Sequence, residues 1–158
     1  MKACLNQYKS STRKVFVADS FQGLPQPSPL FAKDKDDIHY SYKFLKVPVE
    51  EVRSNFSNYG LLDENVVFIE GFFKDSLPTA SSIKSLSLLR ADGDMYSSTI
   101  DILENLYPKL SLGGFCIIDD YSFPACRSAV DDYRKRKSIF DEIIEVDWSC
   151  AYWRKSAD

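Results

Sequence analysis

The chain has 158 residues, 44% of them hydrophobic and 27% charged, with a net charge of −3. That length and balance suit one packed domain and exclude a disordered chain. The acidic surplus leaves no electrostatic footprint for nucleic acid, and no apolar run reaches the roughly 18 residues a membrane span needs.

The opening stretch, "MKACLNQYKSSTRKVF", lacks the long apolar segment of a secretory signal, and residues 1–10 are expected to end a helix. "KVFVAD", 14–19, is a short apolar run ending in acid and predicts a buried strand. "SFQGLPQPSP" follows, and its glycine and prolines enforce a loop. Residues 25–46 are expected to form a flap or insertion, because "FAKDKDDIHYSYKFLK" is charged and aromatic without clean periodicity. "VPVEEVRSNFSNYG", 47–60, predicts a helix with Pro48 near its first turn and Gly60 at its end. "NVVFIEG", 65–71, predicts a second strand. A weak helical pattern lies in 76–84, and "SLSLLRAD", 85–92, predicts a third strand.

A helix is expected over roughly 97–109. Ser98 and Asp101 have the spacing of a capping box, and Ile100, Leu103, Leu106, Tyr107 and Leu110 make one apolar face. "GGFCIID", 113–119, predicts a fourth strand introduced by two turn glycines. "CRSAVDDYRKRK", 126–137, predicts a polar-faced helix, and "DEIIEV" with "CAYWRK" predicts a closing antiparallel hairpin. No repeat or domain boundary is evident, so 1–158 is expected to be a single domain. Alternating strands and helices of this kind predict an α/β fold with a mainly parallel sheet and helices on both faces.

The cysteines Cys4, Cys116, Cys126 and Cys150 are far apart and form no CxxC pair, as expected of reduced thiols in a cytoplasmic protein. The single histidine, His39, lies in a polar segment, which argues against zinc and against a histidine-based nucleophilic catalyst.

In parallel sheets ligands bind beyond the carboxyl ends of the strands. Asp19, Glu70, Asp92 and Asp119 all fall at such ends. If the strands at 86–91 and 114–118 are neighbours, Asp92, Asp94, Asp119 and Asp120 arrive within a few ångströms of one another. Like charges that close raise at least one pKa, and a divalent cation removes the penalty. Oxygen ligands without His or Cys point to Mg²⁺, with Mn²⁺ or Ca²⁺ as substitutes. Asp19 fits a ribose hydrogen bond or a helix cap alike. Glu70, Gly71, Phe72 and Phe73 offer an aromatic wall or simply core packing.

The stretches "VFVADSFQGLP", "FIEGFFKDSLP", "LSLLRADGDMYSSTIDILENLYPKLSLGGFCIIDDY" and "ACRSAVDDYR" resemble the macrocin O-methyltransferase family along the whole chain. The resemblance implies a class I methyltransferase (Rossmann-like) fold, a seven-stranded, mainly parallel sheet whose last hairpin is antiparallel. It implies an O-methyltransferase that uses S-adenosylmethionine and Mg²⁺ to methylate a sugar hydroxyl of a glycosylated small molecule, associating into dimers or larger assemblies. Position by position, it implies that Asp92, Asp119 and Asp120 bind the metal and that Asp94 is the general base. Asp19 and Ser20 would meet the cofactor ribose, and Glu70, Gly71 and Phe72 would approach its adenine.

The chain departs from the family before Lys14, where a first strand and a glycine-rich turn are expected and neither is found. Met1 is therefore expected to be a false start, or the chain a fragment, with weak S-adenosylmethionine binding. A catechol-type phenolic methyltransferase and an inactive remnant partnering a full-length homologue are the alternatives.

Overall fold

A computed structural model describes residues 1–10 and 12–157. The chain divides into two compact units, Met1–Pro25 with Ile38–Ser76 and Gln26–Asp37 with Leu77–Asp158. The segment expected as a flap is shared between them. It is built of short 3₁₀ turns at Ala32–Asp34, His39–Ser41 and Lys43–Leu45.

The first unit comprises α1 (Lys2–Gln7), β1 (Val15–Asp19), α2 (Val49–Asn58), β2 (Val66–Glu70) and α3 (Phe73–Ser76). The β-branched and aromatic runs form strands where expected. They pair in parallel without a break, from Val15 opposite Val66 to Asp19 opposite Glu70. α2 starts after Pro48 with Glu50 and Glu51 in its first turn, where carboxylates meet the positive end of the helix dipole. Phe68 packs edge-on to Phe56 and tilted to Phe21, and the Arg53 guanidinium lies 4.0 Å from its ring centre. Lys2 is buried against Asp63, at 2.6 Å. Past their first residue, the apolar positions of β1 and β2 are only half-buried.

The second unit holds β3 (Leu86–Ala91), α4 (Tyr96–Leu106), β4 (Leu110–Ile118), α5 (Pro124–Arg136), β5 (Ile144–Glu145) and β6 (Ala151–Arg154). Its sheet runs β3-β4-β6-β5, with β3 and β4 parallel and the expected hairpin antiparallel. Cys116, Ile118, Ala151 and Trp153 are fully buried in its centre. Trp153 donates to the Tyr107 hydroxyl at 3.2 Å, and the Lys155 ammonium, also buried, donates to the Leu110 carbonyl.

Several expectations need correction. No helix forms over 76–84: α3 ends at Ser76 and only turns follow before β3. Gly113 and Gly114 lie inside β4, not at its start, because the β3–β4 register slips between Leu86 and Leu88 and the bulge is taken up there. Gly113 has φ +75°, and a Cβ on Gly114 would sit 2.8 Å from the Ser111 carbonyl. The buried face of α4 uses Ile102 with Leu103 and Leu106, while Ile100 is half-buried. The capping box does not form. Met95 is the N-cap residue without a side-chain bond, and Ser98 lies within the helix. The family's seven strands less the first, which is expected to be missing, leave six; the described residues give six, in sheets of two and four, with β1 and β3 in different sheets.

Candidate active site

In the second unit the acids gather because two neighbouring strands end beside each other. The Asp119 amide donates to the Ala91 carbonyl at 2.9 Å, which carries the parallel ladder one step beyond β3 and brings Asp119 alongside Asp92. Between β3 and α4 the chain turns tightly, with the Met95 amide 2.5 Å from the Gly93 carbonyl. Gly93 is packed against α4, where a Cβ would meet Ile102 Cδ1 at 3.1 Å and the Thr99 amide nitrogen at 3.2 Å. Asp94 takes φ +52°, a left-handed conformation that aspartate tolerates better than most residues. Its amide points at Asp120 Oδ2, 3.4 Å away. The loop after β4 is pinned from the hairpin turn, where Ser149 Oγ donates to the Asp119 carbonyl at 2.8 Å and the Ser149 carbonyl accepts from the Ser122 amide.

One carboxylate oxygen each from Asp92, Asp119 and Asp120 lies within 4.8 Å of the others. Ligands at roughly 2.1–2.4 Å from a shared Mg²⁺ or Ca²⁺ stand no more than about 4.2–4.8 Å apart. An all-oxygen, all-anionic donor set at that spacing fits a hard divalent ion. Burial pushes the Asp120 carboxyl up to about 7, and the neighbouring charges of Asp94, Asp92 and Asp119 push in the same direction.

Arg90, which drew no attention in the sequence, reaches into this cluster. Its Nη1 donates to Asp92 Oδ2 at 2.7 Å and its Nη2 to Asp119 Oδ2 at 2.5 Å. Burial works against the guanidinium charge, yet Asp92 and Asp119 outweigh it and raise the pKa. The available signal was a cation inside an otherwise apolar run, on the face of β3 opposite Leu89 and Ala91.

Asp34 was missed as well. It is fully buried, and its two carboxylate oxygens accept the Tyr96 and Ser97 amides at 2.7 and 2.9 Å. It thus caps α4 from 62 residues away, in place of the local box. The segment around it is held by Phe31 against the Tyr96 ring and by Lys33, whose ammonium bonds Asp132. No short-range pattern encodes a cap at that separation.

The remaining candidates lie together in the first unit, at the ends of β1 and β2. Asp19 is exposed, and its Oδ1 accepts the Phe21 amide at 2.6 Å. Ser20 is buried; its hydroxyl donates to the Gly23 carbonyl and accepts from the Gln22 amide. Glu70 is exposed opposite Asp19. The Gly71 amide donates to the Asp19 carbonyl at 3.0 Å, with φ +130° at the glycine. Ser76 Oγ lies within hydrogen-bond reach of the Gly71 and Phe72 carbonyls, and Phe72 is half-buried.

The family model for macrocin-O-methyltransferase (TylF) matches residues 1–155. The 8-demethyl-8-(2,3-dimethoxy-alpha-L-rhamnosyl)-tetracenomycin-C 4'-O-methyltransferase of Streptomyces olivaceus is 49% identical over 159 residues, covering 99% of this chain and 60% of that protein. The mycinamicin III 3''-O-methyltransferase of Micromonospora griseorubida is 47% identical, covering 99% and 63%. The solved structure of the O-methyltransferase NovP superposes with a TM-score of 0.95 at 49% identity, covering 99% of this chain and 66% of that one. The fold is therefore the α/β methyltransferase fold, and the chain spans about three-fifths of the length of the curated relatives it matches.

Proposed function

The chain belongs to the macrocin O-methyltransferase family, and from that membership we propose that it serves the transfer of a methyl group from S-adenosylmethionine to a sugar hydroxyl of a glycosylated small molecule, assisted by Mg²⁺. The single observation that carries the metal-assisted reading is the mutual approach of Asp92, Asp119 and Asp120 at the ends of two adjacent strands.

Under this proposal the three aspartates hold the ion. S-adenosylmethionine supplies an already activated methyl, and the ion supplies charge stabilisation at the acceptor oxygen. Asp94 takes the proton of the acceptor hydroxyl on its carboxylate, and its left-handed backbone is set by the tight turn that ends at Met95. Asp19, whose carboxylate is oriented by the Phe21 amide, accepts hydrogen bonds from the cofactor ribose, and the buried Ser20 hydroxyl braces that turn. Glu70, Gly71 and Phe72 face the adenine. An aliphatic hydroxyl ionises so weakly that charge stabilisation and a placed base are both needed, and positioning supplies much of the remainder.

The proposal extends to a cytoplasmic location, with which four free cysteines accord. It also extends to self-association, for which Phe140 and Trp148, 90% and 85% exposed, offer apolar surface. Among the described residues no helix is long and apolar enough to cross a membrane.

The test is methyl transfer to a glycoside bearing adjacent free hydroxyls, followed by mass spectrometry, with Mg²⁺ and with chelator. Transfer that needs Mg²⁺ and is lost in Asp92→Asn and Asp94→Asn is expected. Transfer indifferent to chelator and to Asp92→Asn would sink the metal-assisted reading, and transfer to catechols in preference to glycosides would reassign the acceptor.

A further inference from the structure

Resting on the metal reading above, we propose that Arg90 is a resident counter-ion of the carboxylate cluster, holding Asp92 and Asp119 together before a divalent ion arrives and giving up that role once it binds. The geometry is specific to a guanidinium. Two different nitrogens of one planar fork each donate to a different carboxylate, one from the end of β3 and one from the end of β4. A lysine ammonium could not span both with the same rigidity.

The charges make the role necessary. Asp92, Asp119 and Asp120 bring three carboxyl groups together, with Asp94 beside them, and Arg90 is the cation whose side chain bonds two of them. Without it the loops after β3 and β4 would be pushed apart. With a doubly charged ion in the cluster, the guanidinium becomes a like charge beside a stronger one and its reason for staying is gone. Its side chain is 42% exposed, so solvent is open to it as the alternative.

The thermodynamic consequence is fixed by linkage. A contact that stabilises the metal-free form but not the bound form weakens metal binding by its own contribution. Arg90 therefore acts as a positioning residue, keeping the site assembled when empty and the ion exchangeable when bound.

The experiment compares this chain with its Arg90→Gln and Arg90→Lys variants, using calorimetric titration with MgCl₂ alone and thermal melts with saturating Mg²⁺ or with chelator. In Arg90→Gln the metal-free melting temperature is expected to fall, the Mg²⁺-saturated one to match the unaltered chain, and Mg²⁺ affinity to rise by about two- to thirtyfold, the range that two half-exposed ion pairs imply. Arg90→Lys should fall between the two, and it supplies the measurement if Arg90→Gln folds only with Mg²⁺ or not at all. Unchanged or weaker affinity, or a melting loss that is the same with and without Mg²⁺, would reduce Arg90 to an ordinary structural contact and overturn the proposal while leaving the metal reading intact. Absence of any Mg²⁺ binding by the unaltered chain at millimolar concentration would overturn both.

Discussion

The two units end their parallel strands in the same way and use the ends differently. β1 and β2 finish on Asp19 and Glu70, paired in register and exposed, and the turn beyond Asp19 occupies one of its oxygens with the Phe21 amide. β3 and β4 finish one residue before Asp92 and Asp119, and there each loop adds a further acid, so that carboxylates crowd together. Crowding of this kind is unfavourable unless something rigid stands beneath it and something cationic stands within it. The second unit has both: fully buried Cys116 and Ile118 on β4 against Ala151 and Trp153 on β6, and Arg90 between the carboxylates. The first unit's strands are largely half-buried, a foundation adequate for hydrogen-bonding a neutral partner and poor for holding like charges together.

The largest expected effect tests those foundations directly. Trp153 is fully buried, packs on Tyr107 with centroids 5.8 Å apart and lies under the Arg134 guanidinium. Trp153→Ala should cost about 3–5 kcal/mol, a large part of a small domain's stability. Phe68→Ala, in the half-buried strand β2, should cost less, about 1–3 kcal/mol. Urea unfolding monitored by circular dichroism measures both, and equal losses would erase the distinction between the two foundations.

Next in size is Asp34→Asn. The carboxylate accepts two amides at the start of α4, and an amide side chain has only one oxygen for them, so a buried N–H loses its partner at a cost of about 1–3 kcal/mol. The same change withdraws a negative charge from the positive end of the helix. Because α4 begins two residues after Asp94, Mg²⁺ affinity should fall along with the melting temperature. A stability loss without any change in Mg²⁺ binding would show that the acidic turn is held independently of α4.

These residues also mark where the sequence was legible. Strand-ending acids could be read because an apolar run that stops at Asp announces both the element and its rim, and a strand–helix–strand order makes 86–91 and 114–118 neighbours. Asp34 could not be read, because the three-residue spacing of Ser98 and Asp101 offered a local cap and nothing local announces a cap reached from residue 34. Arg90 sat in plain view, but its meaning depends on the lateral pairing of two strands, which a linear pattern does not carry. Gly113 and Gly114 read as turn residues at the start of a strand because glycine usually marks a turn, whereas here a register slip within a longer strand needs backbone without side chains. The buried stripe of α4 runs from Ser98 and Thr99 through Ile102, Leu103 and Leu106, so its first turn is polar and Ile100 falls at its edge, which an apolar pattern does not reveal.

Gly93→Ala probes the acidic turn at smaller scale. The added methyl would stand 3.1–3.3 Å from Ile102 Cδ1, the Thr99 amide nitrogen and the Ser98 carbonyl carbon, so the start of α4 must yield by a few tenths of an ångström. A cost of about 1 kcal/mol is expected, with a modest weakening of Mg²⁺ binding, read from thermal melts and titration calorimetry. A stabilised variant would mean that the loop has slack and that its geometry is not set by close packing.

The last comparison lies within the second unit and is the pH dependence of the metal-free chain. The Asp120 carboxyl is pushed up to about 7 by burial and by the charges of Asp94, Asp92 and Asp119. Between about 4 and about 7 the folded state keeps a proton that the unfolded state has released, so the unfolded chain binds fewer protons and stability falls as pH rises through that window. The stabilising contribution is complete below about 4 and lost above about 7. Thermal melts in chelator should show this decline, and Asp120→Asn should flatten it. The same proton must leave when a divalent ion binds, so Mg²⁺ affinity should rise with pH up to about 7 and then level off. An Mg²⁺ affinity that is flat across that window would mean that Asp120 is already ionised before the ion arrives, and that Arg90 alone is enough to offset the crowding.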